Sequence, residues 1–201
     1  MLLPVVMFDP PDFTDPATCD NEFLLQSSLW ACMLGERRGS YEFDEYGRMV
    51  IPAADVDAQA VSLFGQNIKL EHMTIGDMEN AYQYDSDIAS YHVPIIAMTG
   101  FATPSVEKIV MKQDSCQLTV GYVPPTTVLS INYDSKGNLE ETPSKYMLYE
   151  LRKNGKDFYL YSVTTIMNDS VSGTEFNTGT VGRVDTLTPS DSQGSGNTQA
   201  P

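Results

Sequence analysis

Reactive side chains are scarce in this chain. Its 201 residues include two histidines, His72 and His92, each on a predicted strand, and the H-E-x-x-H spacing that sets two imidazoles on one helical face is missing. Cysteine occurs three times, at Cys19, Cys32 and Cys116, an odd number without a C-x-x-C pair, which argues against a disulfide framework and a zinc site. If one helix carried both Cys19 and Cys32, a rise of about 1.5 Å per residue would hold them about 20 Å apart, beyond disulfide reach. Cys116 falls beside an expected hairpin turn, where neither a helix N-terminus nor a basic neighbourhood lowers its pKa. No G-x-S-x-G elbow, Walker-A loop or G-x-G-x-x-G motif occurs. The expectation is a chain without catalytic residue, cofactor or metal.

Cations are also few. Twelve Lys and Arg stand against 27 Asp and Glu, a net charge of -15, and the sequence pI is about 4.3. Such a surface repels phosphate backbones and anionic lipid headgroups, so nucleic acid is excluded as an expected partner. The acid pairs have ordinary explanations. Asp55 and Asp57 suit the positive end of a helix and do not share a helical face. Asp85-Ser-Asp87 lacks the glycine and distal glutamate of an EF-hand and reads as a turn, and Glu140-Glu141 lies in a connecting segment.

Long apolar runs are missing too. Met1 to Phe8 is wholly apolar, but a membrane span needs about 20 such residues, and the flanks of a secretory leader are absent. The run reads either as an arm of a soluble domain or as the last turns of a transmembrane helix leaving the bilayer at Asp9-Pro10-Pro11. The second is the working expectation, with residues 1–16 as span exit and linker. Cys19, after Pro16-Ala17-Thr18, does not make a lipidation site.

What is present is a pattern of helices first and strands second. Asp15-Pro16 is a helix-start signal, and Phe23, Leu24, Leu25, Leu29, Trp30, Met33 and Leu34 follow at helical spacing, predicting a helix over about 17–35. Residues 41–51, around Asp44-Glu-Tyr-Gly47, suit a short hairpin or an irregular connection. Pro52, Asp55 and Asp57 open a second helix, with Val56, Ala60, Leu63 and Phe64 on one face and Gly65 at its end. From Ile68 to Met167 the spacing alternates, predicting antiparallel strands at Ile68–Ile75, Ala81–Tyr84 and Tyr91–Ile95, toward the sheet edge, and two hairpins. Asn154-Gly155 centres one hairpin, setting Arg152 opposite Asp157, Leu151 opposite Phe158 and Tyr149 opposite Leu160. Asp114-Ser115 centres the other, setting Met111 opposite Leu118 and Ile109 opposite Val120. Residues 168–201 are Ser, Thr, Gly and Asn-rich and are expected to be mostly disordered. The expected architecture is a single α+β domain over 17–167, with two helices packed on a curved antiparallel sheet in a cystatin-like (nuclear-transport-factor-like) roll.

Tyrosine is the remaining feature. Tyr82, Tyr84, Tyr91, Tyr122, Tyr133, Tyr146, Tyr149, Tyr159 and Tyr161 all fall on predicted strands or their ends, where strand propensity alone accounts for them. The hairpin register turns Tyr159 and Tyr161 away from the apolar face, making them the candidate contact pair for a sugar or a peptide.

At Pro4-Val-Val-Met-Phe-Asp-Pro-Pro11, Ile51-Pro-Ala-Ala-Asp-Val56, Leu63-Phe-Gly65 and Leu118-Thr-Val-Gly-Tyr122, the chain resembles uncharacterised single-span membrane proteins of Gram-positive gut bacteria. The resemblance covers about residues 4–165. It implies an exported domain on the cell-surface side of the membrane, anchored through a segment upstream of Met1, and it supplies no activity and no site residues. The functional expectation is a non-catalytic binding domain of the cell envelope, whose partner is an unknown protein or envelope ligand. An assembly module of a secretion or conjugation apparatus and a wall-active enzyme are the alternatives.

Overall fold

A computed structural model describes residues 2–77, 81–95, 101–125 and 143–166. Three helices, α1 (Leu3–Val6), α2 (Asn21–Leu34) and α3 (Ala53–Phe64), pack with two antiparallel sheets. The smaller sheet contains β1 (Glu42–Phe43), β2 (Met49–Pro52), β3 (Gln83–Asp85) and β4 (Ser90–Val93) in the order β1-β2-β4-β3. The larger is a meander of β5 (Thr103–Met111), β6 (Ser115–Val123), β7 (Lys145–Asn154) and β8 (Asp157–Ile166), in sequence order. The fold is mixed α+β, with helices from the N-terminal part against antiparallel strands.

The second sheet is a departure from the single curved sheet expected, and α2 explains it. Ten of its 14 residues are buried, and a helix apolar nearly all round needs cover on every side. Phe23, Leu24 and Ala31 join the core formed with Val120, Tyr149, Leu160 and Val163 of the larger sheet. Leu25, Leu29, Trp30 and Met33 join a second core with Met49, Ile51, Tyr91 and Val93 of the smaller one. Fully burying a side chain such as Leu25 or Leu29 contributes about 1.5–3 kcal/mol. No helix of the described residues is long and apolar enough to cross a membrane.

Helix starts are divided between two caps. Asp15, expected to start the first helix, instead accepts a hydrogen bond from the Ala17 N–H at 3.0 Å and caps a short 3₁₀ turn, Pro16–Thr18. Asp20 caps α2 through the Glu22 N–H at 2.7 Å. Residues 41–51, open between a hairpin and an irregular connection, form the hairpin, with Glu42 opposite Val50. α3 begins after Pro52, ends at Gly65 and buries Val56, Ala60, Leu63 and Phe64, as its spacing predicted.

The N-terminal run is used by the fold. Val5 and Val6 lie in one core and Met7 in the other, and Phe13 exchanges both backbone hydrogen bonds with Val163 at 2.9 Å. Asp12 accepts from the backbone and the hydroxyl of Thr165 at 2.8 and 2.7 Å. The packed unit therefore reaches back to Leu2, N-terminal of the boundary at 17 read from sequence. Met1, Met167 and the tail 168–201 lie outside the described residues.

Residues 68–75 do not form the strand expected of them. The Asn21 side chain bonds both the C=O and the N–H of Glu71, each at 2.8 Å, taking the place of a neighbouring strand. Ile75 alone makes a bridge, to Tyr82. β4 is also not at an edge, since it lies between β2 and β3.

Both long hairpins turn close to the expected positions but pair two residues out. Gly155, with φ 65°, and Lys156 form the first turn, so that Leu151 faces Leu160 and Arg152 faces Tyr159. A two-residue slip keeps every side chain on its face, and Met147, Tyr149, Leu151 and Leu160 are buried together as expected. A bulge between Glu150 and Leu151 then sets Tyr149 opposite Val163 rather than Leu160. In the second hairpin Ile109 faces Leu118 and Met111 faces Cys116. β5, the outer strand, leaves Val106, Ile109, Val110 and Met111 exposed.

Candidate functional site

The two tyrosines singled out by the hairpin register meet at one cleft. It has a volume of about 280 Å³ and is lined by Asp15, Gly65, Gln66, Arg152, Tyr159 and Tyr161, among others. A second cleft of about 200 Å³, with Cys19, Asn21 and Lys69 on its walls, shares Ala17, Asn67 and Ile68 with the first. Together they form one groove where the start of the chain, the end of α3 and the β7–β8 hairpin converge.

Each wall follows from local chemistry. Gly65 leaves α3 at φ 92°, ψ 170°, a conformation essentially restricted to glycine, and its missing Cβ lets the Tyr159 ring lie directly against it. Arg152 is the cross-strand partner of Tyr159, and the bulge beyond Leu151 brings Tyr161 beneath it, with the guanidinium carbon 3.1 Å from the ring centroid. That is a close cation–π stack. The guanidinium Nε donates a long 3.4 Å bond to Glu150, and its Nη groups have no hydrogen-bond partner among the described residues. An arginine held flat on a ring keeps its two-pronged donor edge oriented for a planar oxyanion.

Most of the other tyrosines on predicted strands are absorbed by the cores and the smaller sheet. Tyr82, Tyr91, Tyr122 and Tyr149 are buried, Tyr84 and Tyr146 are partly so, and Tyr133 lies outside the described residues. The Tyr82 hydroxyl accepts from Trp30 Nε1 at 2.8 Å. Tyr122 and Tyr149 share a short hydroxyl–hydroxyl hydrogen bond in the core. Burial pushes the Tyr122 phenol up to about 12, against the lowering effect of that bond.

Neither histidine reaches the groove. His72 lies in the irregular segment rather than on a strand, with Nδ1 3.0 Å from the Tyr91 hydroxyl, Nε2 3.3 Å from Asp57 and its ring stacked on Tyr84. His92 is on β4, with Nδ1 2.8 Å from Asp44. Asp44 also accepts from the backbone N–H groups of Tyr46 and Arg48, and from Arg48 Nε at 2.7 Å. Burial alone would raise its pKa, but these hydrogen bonds outweigh it and hold the carboxyl far below the usual range. Asp44 therefore fastens the β1–β2 turn to β4. Asp85 accepts from the Asp87 N–H at 2.9 Å, the turn expected there.

The cysteines stand as free thiols, Cys32 and Cys116 buried and Cys19 partly so. Burial pushes the Cys32 thiol up to about 11, with Tyr41 and Arg37 opposing and Asp55 adding to the rise. Cys19 is likewise raised to about 11, by burial and then by Asp15 and Asp20. Among the described residues no group of three or more His, Cys, Asp or Glu could hold a metal ion. Glu140 and Glu141 lie outside the described residues.

Sequence reading named the tyrosine pair as candidates but not Arg152, which the expected register set against Asp157. Its assignment to the same strand face as Tyr159 and Tyr161 was the available signal. The 65–69 wall had none, because its approach to β8 spans nearly half the chain. Comparisons with family models, with curated proteins and with solved structures find no match to this chain.

Proposed function

We propose that this chain is a non-catalytic, extracytoplasmic binding or interaction domain of a cell-envelope protein, and that its ligand contacts fall on the groove carrying Tyr159, Tyr161 and Arg152. The observation that carries the reading is the Arg152 guanidinium stacked over Tyr161, its Nη groups without a hydrogen-bond partner among the described residues, beside two tyrosines in a small concavity. Such a combination of aromatic surface with a few fixed polar groups is what ligand recognition uses. Anchoring through a segment upstream of Met1 and placement on the cell-surface side rest on the resemblance described above. The helix-backed meander β5–β8 is the part we assign to a cystatin-like roll.

The experiment is binding of soluble envelope fragments to the full chain, followed by backbone amide shifts in NMR. Shifts at residues 65–68 and 159–161 that disappear in a Tyr159→Ala, Tyr161→Ala double variant are expected. Shifts confined to another surface, or unchanged in the variant, would remove the groove from the proposal.

A second reading, an assembly module of a secretion or conjugation machine, is favoured by one separate observation. Among the described residues β5 is an outer strand whose Val106, Ile109 and Met111 are exposed, and such an edge can accept another strand. Loss of assembly on a Val106→Lys, Ile109→Lys change would support it. Intact assembly would count against it.

A further inference from the structure

The groove is close to charge balance, because Glu150 stands 3.4 Å from Arg152 Nε, in a molecule that is otherwise strongly acidic. Its named walls carry two cations, Arg152 and Lys69, and one carboxylate, Asp15, in a chain of net charge -15. Asp15 is already committed through one oxygen to capping the 3₁₀ turn. Against a background that repels anions, this groove is a place where a singly charged anion meets the Arg152 Nη donors, which have no hydrogen-bond partner among the described residues.

Both rings also have one face occupied, Tyr161 by the guanidinium and Tyr159 by Gly65. That makes the pair a poor two-sided platform for a sugar ring and leaves the arginine fork as the more selective group. The volume of about 280 Å³ lies at the low end for small-molecule clefts, about 300–1,000 Å³. It suits one residue-sized group, with the adjoining space of about 200 Å³ taking the next.

Resting on the binding-domain reading, we propose that the groove recognises the free carboxylate end of a short peptide. The terminal carboxylate pairs with the two Nη donors of Arg152, and the last side chain lies beside Tyr159. The preceding residue crosses Ala17 and Ile68 toward Lys69, along a path lined by Asn67 and Ile68. Asp15 works against dianions such as phosphate monoesters by like-charge repulsion.

The test titrates the full chain with acetyl-alanyl-alanine and with its C-terminal amide, following amide shifts at residues 65–69 and heats of binding. Peptides ending in an L-residue and in a D-residue form the two arms, separating a protein C-terminus from a wall-type peptide as the source. The acid should bind about tenfold or more tightly than the amide, the low end of what a hydrogen bond to a charged group provides. Arg152→Gln should abolish the difference. Arg152→Lys, which keeps the charge but not the fork, should keep only part of it, with far-UV circular dichroism unchanged in both.

Equal binding of acid and amide, or binding unaffected by Arg152→Gln, would overturn the carboxylate assignment. If neither peptide shifts the groove while a neutral envelope oligosaccharide does, this proposal fails and the binding-domain reading stands. If the groove responds to neither peptides nor envelope fragments, both fail.

Discussion

Replacing Gly65 by alanine perturbs the groove at the point where its geometry is most constrained. With φ 92° and ψ 170°, the position costs a residue bearing a Cβ about 1–3 kcal/mol in backbone strain alone. A Cβ there would also stand 2.8 Å from Tyr159 Cδ2 and 2.9 Å from Cε2, and overpacking adds about 1–3 kcal/mol where neighbours cannot move. Tyr159 is only partly buried, so its ring can swing outward and the steric part falls at the low end. The expected loss is about 2–4 kcal/mol, measured by urea unfolding with far-UV circular dichroism. In a Tyr159→Ala background the same substitution should cost only the backbone part, giving a coupling of about 1 kcal/mol in a double-mutant cycle. Gly65→Asn should be no better than alanine, because asparagine relieves left-handed helical positions near ψ of about 47° and not an extended ψ. An identical cost in both backgrounds, or rescue by asparagine, would refute the packing argument.

Tyr82→Phe removes the acceptor of the buried Trp30 N–H and should lower stability by about 1–3 kcal/mol in denaturant titration. Val5→Ala deletes two methyl groups from a fully buried position and should cost about 2 kcal/mol. A neutral result in the same assay would detach α1 from the core. Asp44 has a folded pKa below its unfolded one, so its contribution is complete above the ordinary carboxylate range, near 4, and is lost as pH falls toward the folded value. Protection factors in the β1–β2 hairpin, corrected for the slowing of intrinsic amide exchange in acid, should fall as pH is lowered, and Asp44→Asn should flatten that dependence. With thiols raised to about 11, neither Cys19 nor Cys32 should react readily with a disulfide reagent at neutral pH. Cys19, the less buried, should respond first as pH rises, and Cys32 only on unfolding.

Local rules located most elements and missed whatever depended on distant partners. Val56, Ala60, Leu63 and Phe64 marked the buried face of α3 because helical spacing is a property of a dozen adjacent residues. The hairpin faces also survived, since alternation fixes which side a residue takes but not which residue stands opposite. The two-residue slip came from the turn at Gly155-Lys156, and the bulge at Glu150/Leu151 depends on the neighbouring strands. Asp15 and Asp20 compete as helix caps only five positions apart, and sequence assigned the helix to the wrong one. The strand proposed at 68–75 failed because Asn21, about fifty positions away, supplies the hydrogen bonds of Glu71.

The clearest unread sign was in α2. Phe23, Leu24, Leu25, Leu29, Trp30 and Met33 spread around most of the helix, and a single sheet can cover only one side of such a cylinder. A helix without a polar face calls for two packing layers, which is what the cores shared by α2 supply. The groove follows from the same arrangement. α2 lies between the sheets, α3 packs beside it and stops at Gly65, and the β7–β8 hairpin bulges where that helix ends. Tyr159, Tyr161 and Arg152 meet the 65–69 turn at a seam between elements, so the site depends on long-range packing even though two of its three key side chains were visible in the alternation of one strand.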